Sequence, residues 1–87
     1  MPYISSGDRE GLDKILAKMT KLTAGELCYC IVRLLDHTFR FDARPGYSDL
    51  ALVLGILESA KLEIYRRVVA PYEDEAIERN GDVFDLS

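Results

Sequence analysis

Basic and aromatic side chains are concentrated around a proline in the stretch KLEIYRRVVAPYEDEAIERNGDV, which covers residues 61–83. Adjacent arginines can hold a phosphate or carboxylate through charge-assisted hydrogen bonds, and tyrosine rings can stack on a base or another ring. This combination is suited to the binding of a small anionic ligand. The candidate ligand-binding residues are Arg66, Arg67, Tyr65 and Tyr72, together with Tyr3 from the start of the chain.

The same two arginines also have a purely structural interpretation. Glu63 can pair with Arg66 or Arg67 at i,i+3 or i,i+4 spacing, which stabilises an exposed helix by about 0.2–0.5 kcal/mol. One of the arginines can instead bind the acidic run after Pro71 and so fix a bend in the helix. The spacing leaves the binding role and the structural role open.

Catalysis and metal binding have little support in the residue types. His37 lies beside Asp36, but no nucleophile accompanies this pair, and we predict no catalytic residue. Cys28 and Cys30 are the only cysteines, and with a single histidine they cannot supply four zinc ligands. Two positions apart on a helix, their side chains also diverge too far for a disulfide. We therefore expect a non-enzymatic protein without a cofactor or a metal.

Charge and composition narrow the classes of partner. The net charge is −4, and residues 72–87 contain six acidic residues and one basic residue, which speaks against general binding to nucleic-acid phosphates. No run of about 18 apolar residues is present, so we expect no membrane span. The first residues lack the basic region and apolar core of a signal peptide. These features predict a cytoplasmic location.

The elements that position the candidate residues are helical. Apolar residues recur at helical spacing over residues 8–22, and Ser6 or Asp8 can cap this first helix. Thr23 and Glu26 have the spacing of a capping box, which starts a second helix. Because almost no linker separates the two helices, we expect an antiparallel hairpin or a sharp corner. The predicted inner face of the second helix consists of Leu27, Ile31, Leu34, Leu35 and Phe39.

A third, longer helix follows a loop at residues 40–49, with Ser48 or Asp49 as its cap and Leu50 at its start. This helix carries apolar stripes on two sides, and the other helices of so small a protein can cover only one of them. We therefore expect a homo-oligomer or a protein partner on the second side. Pro71 should bend or stop the helix, and a short helix over residues 72–80 should follow.

The predicted fold class is therefore all-α, in a single domain of residues 1–87. A chain of this length buries only roughly 60% of the surface that it exposes when unfolded, so its stability is marginal. Since neither a disulfide nor a metal is available to supplement the core, we expect association with copies of the chain or with a partner to supply the missing stability.

Four short segments of the chain resemble those of a known group of proteins. The chain opens with MPYI, has GEL at residues 25–27, and passes through GILE at residues 55–58 into KLEIYRRVVAPYED at residues 61–74. It resembles a small family of uncharacterised proteins from tailed phages and bacterial genomes, which share the MPYI opening and an LE..K.E.YRR...PYE…NGDV ending. The resemblance covers nearly the full chain and implies a phage context, but it carries no activity. Cys28 stands where a polar residue is expected in this family.

The phage context implied by the resemblance favours action on a host, in the host cytoplasm. One interpretation is a non-enzymatic homo-oligomer that sequesters a nucleotide-like anion used in host defence. The alternative is a protein-interaction module that binds and modulates a host protein, through the third helix or the acidic segment after Pro71. The contacts of Arg66 and Arg67 discriminate between them. A concave site favours sequestration, whereas pairing with the acidic residues at 73–75 weakens it.

Overall fold

The computed structural model describes residues 2–86 and is all-α over that range, which confirms the predicted fold class. A 3₁₀ turn lies between the second and third helices, and a π-helical segment joins the third helix to the fourth. Residues 47–80 thus form one long, joined helix. The elements are α1 (Ser6–Leu16), α2 (Ala24–Phe39), the 3₁₀ turn (Phe41–Ala43), α3 (Tyr47–Ile64), the π segment (Tyr65–Val69) and α4 (Ala70–Asn80).

The first helix is shorter than the sequence predicts. α1 has Ser5 as its N-cap and ends at Leu16, well before the expected end at Leu22. After Leu16, the backbone amide of Lys18 bonds back by only three residues, at 3.2 Å, which tightens the last turn. Lys21 then adopts a left-handed φ of 60°, which no α-helix can contain. The apolar residues thus keep their helical spacing up to Leu22, although the backbone leaves the helix after Leu16.

The capping box at the start of α2 is present as predicted. The Thr23 hydroxyl accepts the Glu26 backbone N–H at 3.1 Å, and the Glu26 carboxylate accepts the Thr23 backbone N–H at 2.9 Å. The bond from the Thr23 backbone, followed by the bond with its hydroxyl, lowers the pKa of Glu26. Two of the unpaired donors at the helix start are thereby satisfied.

The third helix begins earlier than expected, and neither predicted cap is used. α3 starts at Tyr47 with Gly46 as an extended N-cap, so Ser48 and Asp49 lie inside the first turn. Asp49 does not cap the helix; its negative charge lies near the positive end of the helix dipole, where it is favourable. The turn at Pro45 and Gly46 thus leads directly into the helix, without a further loop residue.

The predicted interruption at Pro71 takes the form of the π segment. The backbone N–H of Ala70 bonds the carbonyl of Tyr65, five residues earlier. Proline lacks an amide hydrogen, and in a regular α-helix its ring clashes with the carbonyl four residues before it. The wider π turn relieves that clash, and Pro71 then occupies the first turn of α4. The helix therefore continues through the proline.

The predicted end of the last helix at residue 80 is confirmed. α4 ends at Asn80, and Gly81 follows with a φ of 91°, a value that glycine adopts readily because it has no Cβ. The N–H of Gly81 bonds the Ile77 carbonyl at 2.8 Å, which satisfies one acceptor of the last turn. The remaining residues of the described chain leave the helix at this point.

The molecule is elongated and has almost no core. The main contact between separate helices is that of α2 with α3. The sequence predicts instead a hairpin or a sharp corner between α1 and α2. Within residues 2–86, only Val53 is buried. The radius of gyration is 17.6 Å, with extents of 52 × 33 × 29 Å. A compact domain of this length has a radius of gyration of about 12 Å. Much of the predicted inner face of α2 is accordingly exposed.

Candidate functional site

The start of the chain and the long helix meet at Glu63. The Tyr3 hydroxyl donates a hydrogen bond to Oε1 of Glu63, and Nη2 of Arg66 donates to the same oxygen at 2.6 Å. Glu63 and Arg66 are three residues apart on the helix, whereas Tyr3 lies 60 residues away in the sequence. One carboxylate thus fixes both an arginine of the candidate site and the N-terminal segment.

The charges of Glu63 and Arg66 stabilise each other. The hydrogen bond from Tyr3, and then the one from Arg66, lower the pKa of Glu63, while the bond to Glu63 raises the pKa of Arg66. The Glu63 side chain is 23% exposed and that of Arg66 is 64% exposed, so solvent screens the pair on one side. At neutral pH the positive charge of Arg66 is largely compensated by Glu63. Its capacity to bind a further anion is correspondingly reduced.

Arg67 differs from its neighbour. It is exposed, and within residues 2–86 no carboxylate lies within 4.0 Å of its guanidinium nitrogens. In this described range, Arg66 pairs with Glu63 and not with the acidic residues at 73–75. The structural interpretation based on i,i+3 pairing therefore describes Arg66, whereas Arg67 forms no ion pair within residues 2–86 and its guanidinium is accessible.

The tyrosines of the candidate site do not form a single stripe. Tyr65 and Tyr72 are both exposed; Tyr65 is the first residue of the π segment, and Tyr72 lies in the first turn of α4. Seven residues apart in a regular α-helix, they would share a face, but the extra residue in the π turn rotates them apart by about a third of a turn. Tyr65 and Arg67 are two residues apart and do not face each other either. The helix therefore distributes these side chains around its axis.

A groove lies along α3, on the side of the N-terminal segment, and has a volume of about 360 Å³. The bond between Tyr3 and Glu63 holds the chain start against this side of the helix, which places Pro2 at the edge of the groove. Our sequence analysis did not identify this groove. The lining residues are Pro2, Leu52, Gly55, Ile56, Ser59 and Ala60.

Of the five predicted ligand-binding residues, the structure thus joins Tyr3 and Arg66 through Glu63 and leaves the other three exposed on the helix. Sequence reasoning treated Glu63 only as an ion-pair partner, because nothing local indicates its bond to a residue near the chain start. The groove had a local signal, since Gly55 and Ser59 are small residues at i,i+4 spacing on an otherwise apolar side of the helix.

No group of three or more His, Cys, Asp or Glu side chains within residues 2–86 is arranged to hold a metal ion. None of the described helices combines the length and the apolar character needed to cross a membrane.

The chain belongs to the family described as "Domain of unknown function (DUF6899)", whose profile matches residues 1–83. The resemblance to an uncharacterised family is thereby confirmed. No match to the chain was found among curated proteins or among solved structures.

Proposed function

We propose that this member of the family is a non-enzymatic binding protein that works as a homo-oligomer. The exposure of its apolar side chains carries the proposal. Leu54 is 67% exposed and Leu34 is 56% exposed, although both lie on helices. A single chain with so little buried apolar surface lacks the main contribution to folding stability. Copies of the chain that cover one another's helices would supply it.

The exposed area supports the same proposal. The chain exposes 7876 Å² of surface, whereas a compact monomer of 9.8 kDa exposes about 5,200 Å². The surplus of about 2,700 Å² exceeds the roughly 800 Å² that each partner buries in an interface of standard size. A surplus of this size is typical of a subunit that folds together with its partners.

Within the oligomer, we infer that a nucleotide-like anion is sequestered near the π segment. Arg67 supplies the charge, because Arg66 is already paired with Glu63. One chain distributes the candidate side chains around its helix, so two subunits would have to combine theirs to enclose a ligand. Stacking on tyrosine would complete the binding of a base. The residues assigned to this site are Arg66, Arg67, Tyr65, Tyr72 and Tyr3.

The alternative function, binding and modulation of a host protein, is favoured by the tail. Val83 is 88% exposed and Phe84 is 66% exposed, and both follow the acidic helix α4. Apolar side chains next to a strongly acidic surface are complementary to a partner surface that has an apolar patch beside basic residues. In a phage setting, such a partner would be a host protein.

Native mass spectrometry of protein purified gently from its own expression host tests these proposals. We expect an oligomer that carries a constant extra mass. Arg67→Ala should lose the extra mass and keep the oligomer, because the side chain serves the ligand and not the fold. Arg79→Ala is the matched control, since Arg79 is also exposed, lies in the last turn of α4 and has no ion pair within residues 2–86.

Each other outcome changes a defined part of the proposal. An oligomer without extra mass, accompanied by a second protein in fixed ratio, would replace the anion with a host protein as the ligand. A monomer at micromolar concentration would contradict the homo-oligomer. Turnover of any nucleotide by the purified protein would contradict the non-enzymatic assignment.

A further inference from the structure

The groove on α3 has the character of an uncovered interface. Its lining is apolar apart from Ser59, and it is open to solvent in the isolated chain. The sequence of α3 contains no charged residue between Asp49 and Glu58, so the groove is free of charge along its central two turns. Exposed apolar surface without charges is the composition of the core of a protein–protein interface.

Gly55 lies on this groove in the middle of α3, where nothing inside the chain requires a glycine. Its backbone is α-helical, and a Cβ atom added to it would meet no atom within 4 Å. Glycine in a helix interior is less stable than alanine, because it loses more conformational freedom on folding. A contact outside the chain would account for it, since the absence of a side chain lets another backbone come close.

The neighbours of Gly55 fit the same purpose. Ala51 and Ser59 lie one turn before and one turn after it, so three small side chains form a shallow strip along the helix. Leu52 and Ile56 rise beside this strip, and both are more than 40% exposed. The surface therefore has a ridge next to a hollow, which is the relief that helices use when they pack against each other.

We propose that α3 of a second copy crosses α3 at Gly55, on a two-fold axis. This inference rests on the homo-oligomer proposed above and identifies its interface. A two-fold axis brings one patch against the same patch of the other subunit, so that patch must be self-complementary. The ridge and hollow meet this condition, because the Ile56 side chain of each copy can occupy the space above the partner's Gly55. A second copy is also present wherever the chain is made, which suits a subunit without a core of its own.

Substitution of Gly55 tests the crossing, and Gly11 provides a matched control. Both glycines lie inside helices and have open space around a Cβ atom, but Gly11 lies on α1, away from the groove. In sedimentation experiments on the full chain, we expect Gly55→Leu to weaken self-association at least a hundredfold, because the side chain blocks the approach of the second helix. Gly11→Leu should leave self-association unchanged.

The smaller change of Gly55 to alanine distinguishes a residue inside the helix crossing from one outside any interface. Within the crossing, Gly55→Ala weakens self-association about tenfold, although alanine favours the helix. Outside an interface, the same substitution raises Tm by about 4 °C and leaves association unchanged. Gly11→Ala should show that rise in Tm. If Gly55→Leu fails to fold, as far-UV circular dichroism would reveal, Gly55→Ala decides.

The failure of this inference differs from the failure of the proposed function. If the wild-type chain is an oligomer, and Gly55→Leu and Gly55→Ala associate as tightly as wild type, the crossing at Gly55 is wrong and the oligomer stands. If the wild-type chain is a monomer, both proposals are wrong.

Discussion

α3 and α4 belong to one continuous helix, yet their surfaces differ. α3 has four charged residues among 18, whereas α4 has five among 11, so only α4 has the composition of a solvated helix. The buried Val53 and most of the groove lie on α3. Tyr72 and Ile77 are the large apolar residues of α4. Helix continuity therefore does not imply a common role for the two halves.

The difference shows how an apolar pattern should be interpreted in a chain this small. A helix that is apolar on several sides is typically buried on several sides, and within the described residues α2 is the helix that packs against α3. α4 needs no such cover, because its charges remain hydrated. The proposed interface would therefore lie on α3, whereas the charged side chains of α4 would remain in water.

The largest expected effect is the difference between the same substitution made on α3 and on α4. Ile56 on α3 and Ile77 on α4 are each 42% exposed in the isolated chain. Ile56→Glu should abolish the oligomer and reduce the free energy of unfolding by about 3 kcal/mol or more, because it places an unpaired carboxylate in an apolar interface. Ile77→Glu should change this free energy by no more than about 1 kcal/mol. Light scattering and urea unfolding measure both effects.

Equal effects of these two substitutions would break the comparison. If both variants lose the oligomer, α4 is also part of the interface. If neither does, the apolar surface of α3 serves another purpose than assembly. The identical residue type and exposed fraction make the pair its own control for the intrinsic helix propensity of the substitution.

Sequence analysis succeeded where the signal and its effect are local. Thr23 and Glu26 are three residues apart, and their capping geometry needs no information from the rest of the chain. The same holds for Gly81, which ends α4 because of its own backbone freedom. The all-α class followed from the 3.6-residue period of the apolar residues.

Prediction failed where several local preferences compete or where distant residues meet. Apolar residues continue at helical spacing to Leu22, but α1 ends at Leu16. The spacing was misleading because it indicates which side of a helix is apolar and not where the backbone turns. The hydroxyl of Tyr3 reaches Glu63 across 60 residues, and no local pattern encodes such a contact. Pro71 predicted an interruption, but its chemistry does not specify that a π turn will absorb it.

The second prediction concerns the boundary between the two halves. Pro71→Ala restores an amide donor and removes the clash that the π segment relieves, so residues 47–80 can form a regular α-helix. We expect this variant to be more stable by about 1 kcal/mol, with Tm raised by about 5 °C. The surface of α4 would then rotate relative to α3 by about a third of a turn. Thermal unfolding and hydrogen exchange across residues 65–70 would detect these changes.

An unchanged or lower Tm of Pro71→Ala would indicate that the π segment has another cause, such as contacts between subunits. Ala76→Ser, a mild change in the middle of α4, controls for substitution in that helix and should leave the exchange rates of residues 65–70 as they are. With an unchanged or lower Tm, the boundary between α3 and α4 would be attributed to assembly and not to the proline.

The smallest effect concerns the bond that joins the chain start to the end of α3. Tyr3 and then Arg66 lower the pKa of Glu63 below its ordinary value of 4.5, so the ionised carboxylate stabilises the folded state at neutral pH. That contribution is lost as the pH falls from about 4.5 through the lowered value. Tyr3→Phe should therefore reduce Tm by about 2 °C at neutral pH, and its difference from wild type should shrink as the pH falls below 4.5. Glu26, whose pKa is also lowered, titrates alike in both proteins and cancels in the difference. Tyr72→Phe on α4 should show no such pH dependence. A Tyr3→Phe difference that stays constant as the pH falls through the whole acid transition of the carboxylate would mean that packing of the ring, not the carboxylate, holds the segment.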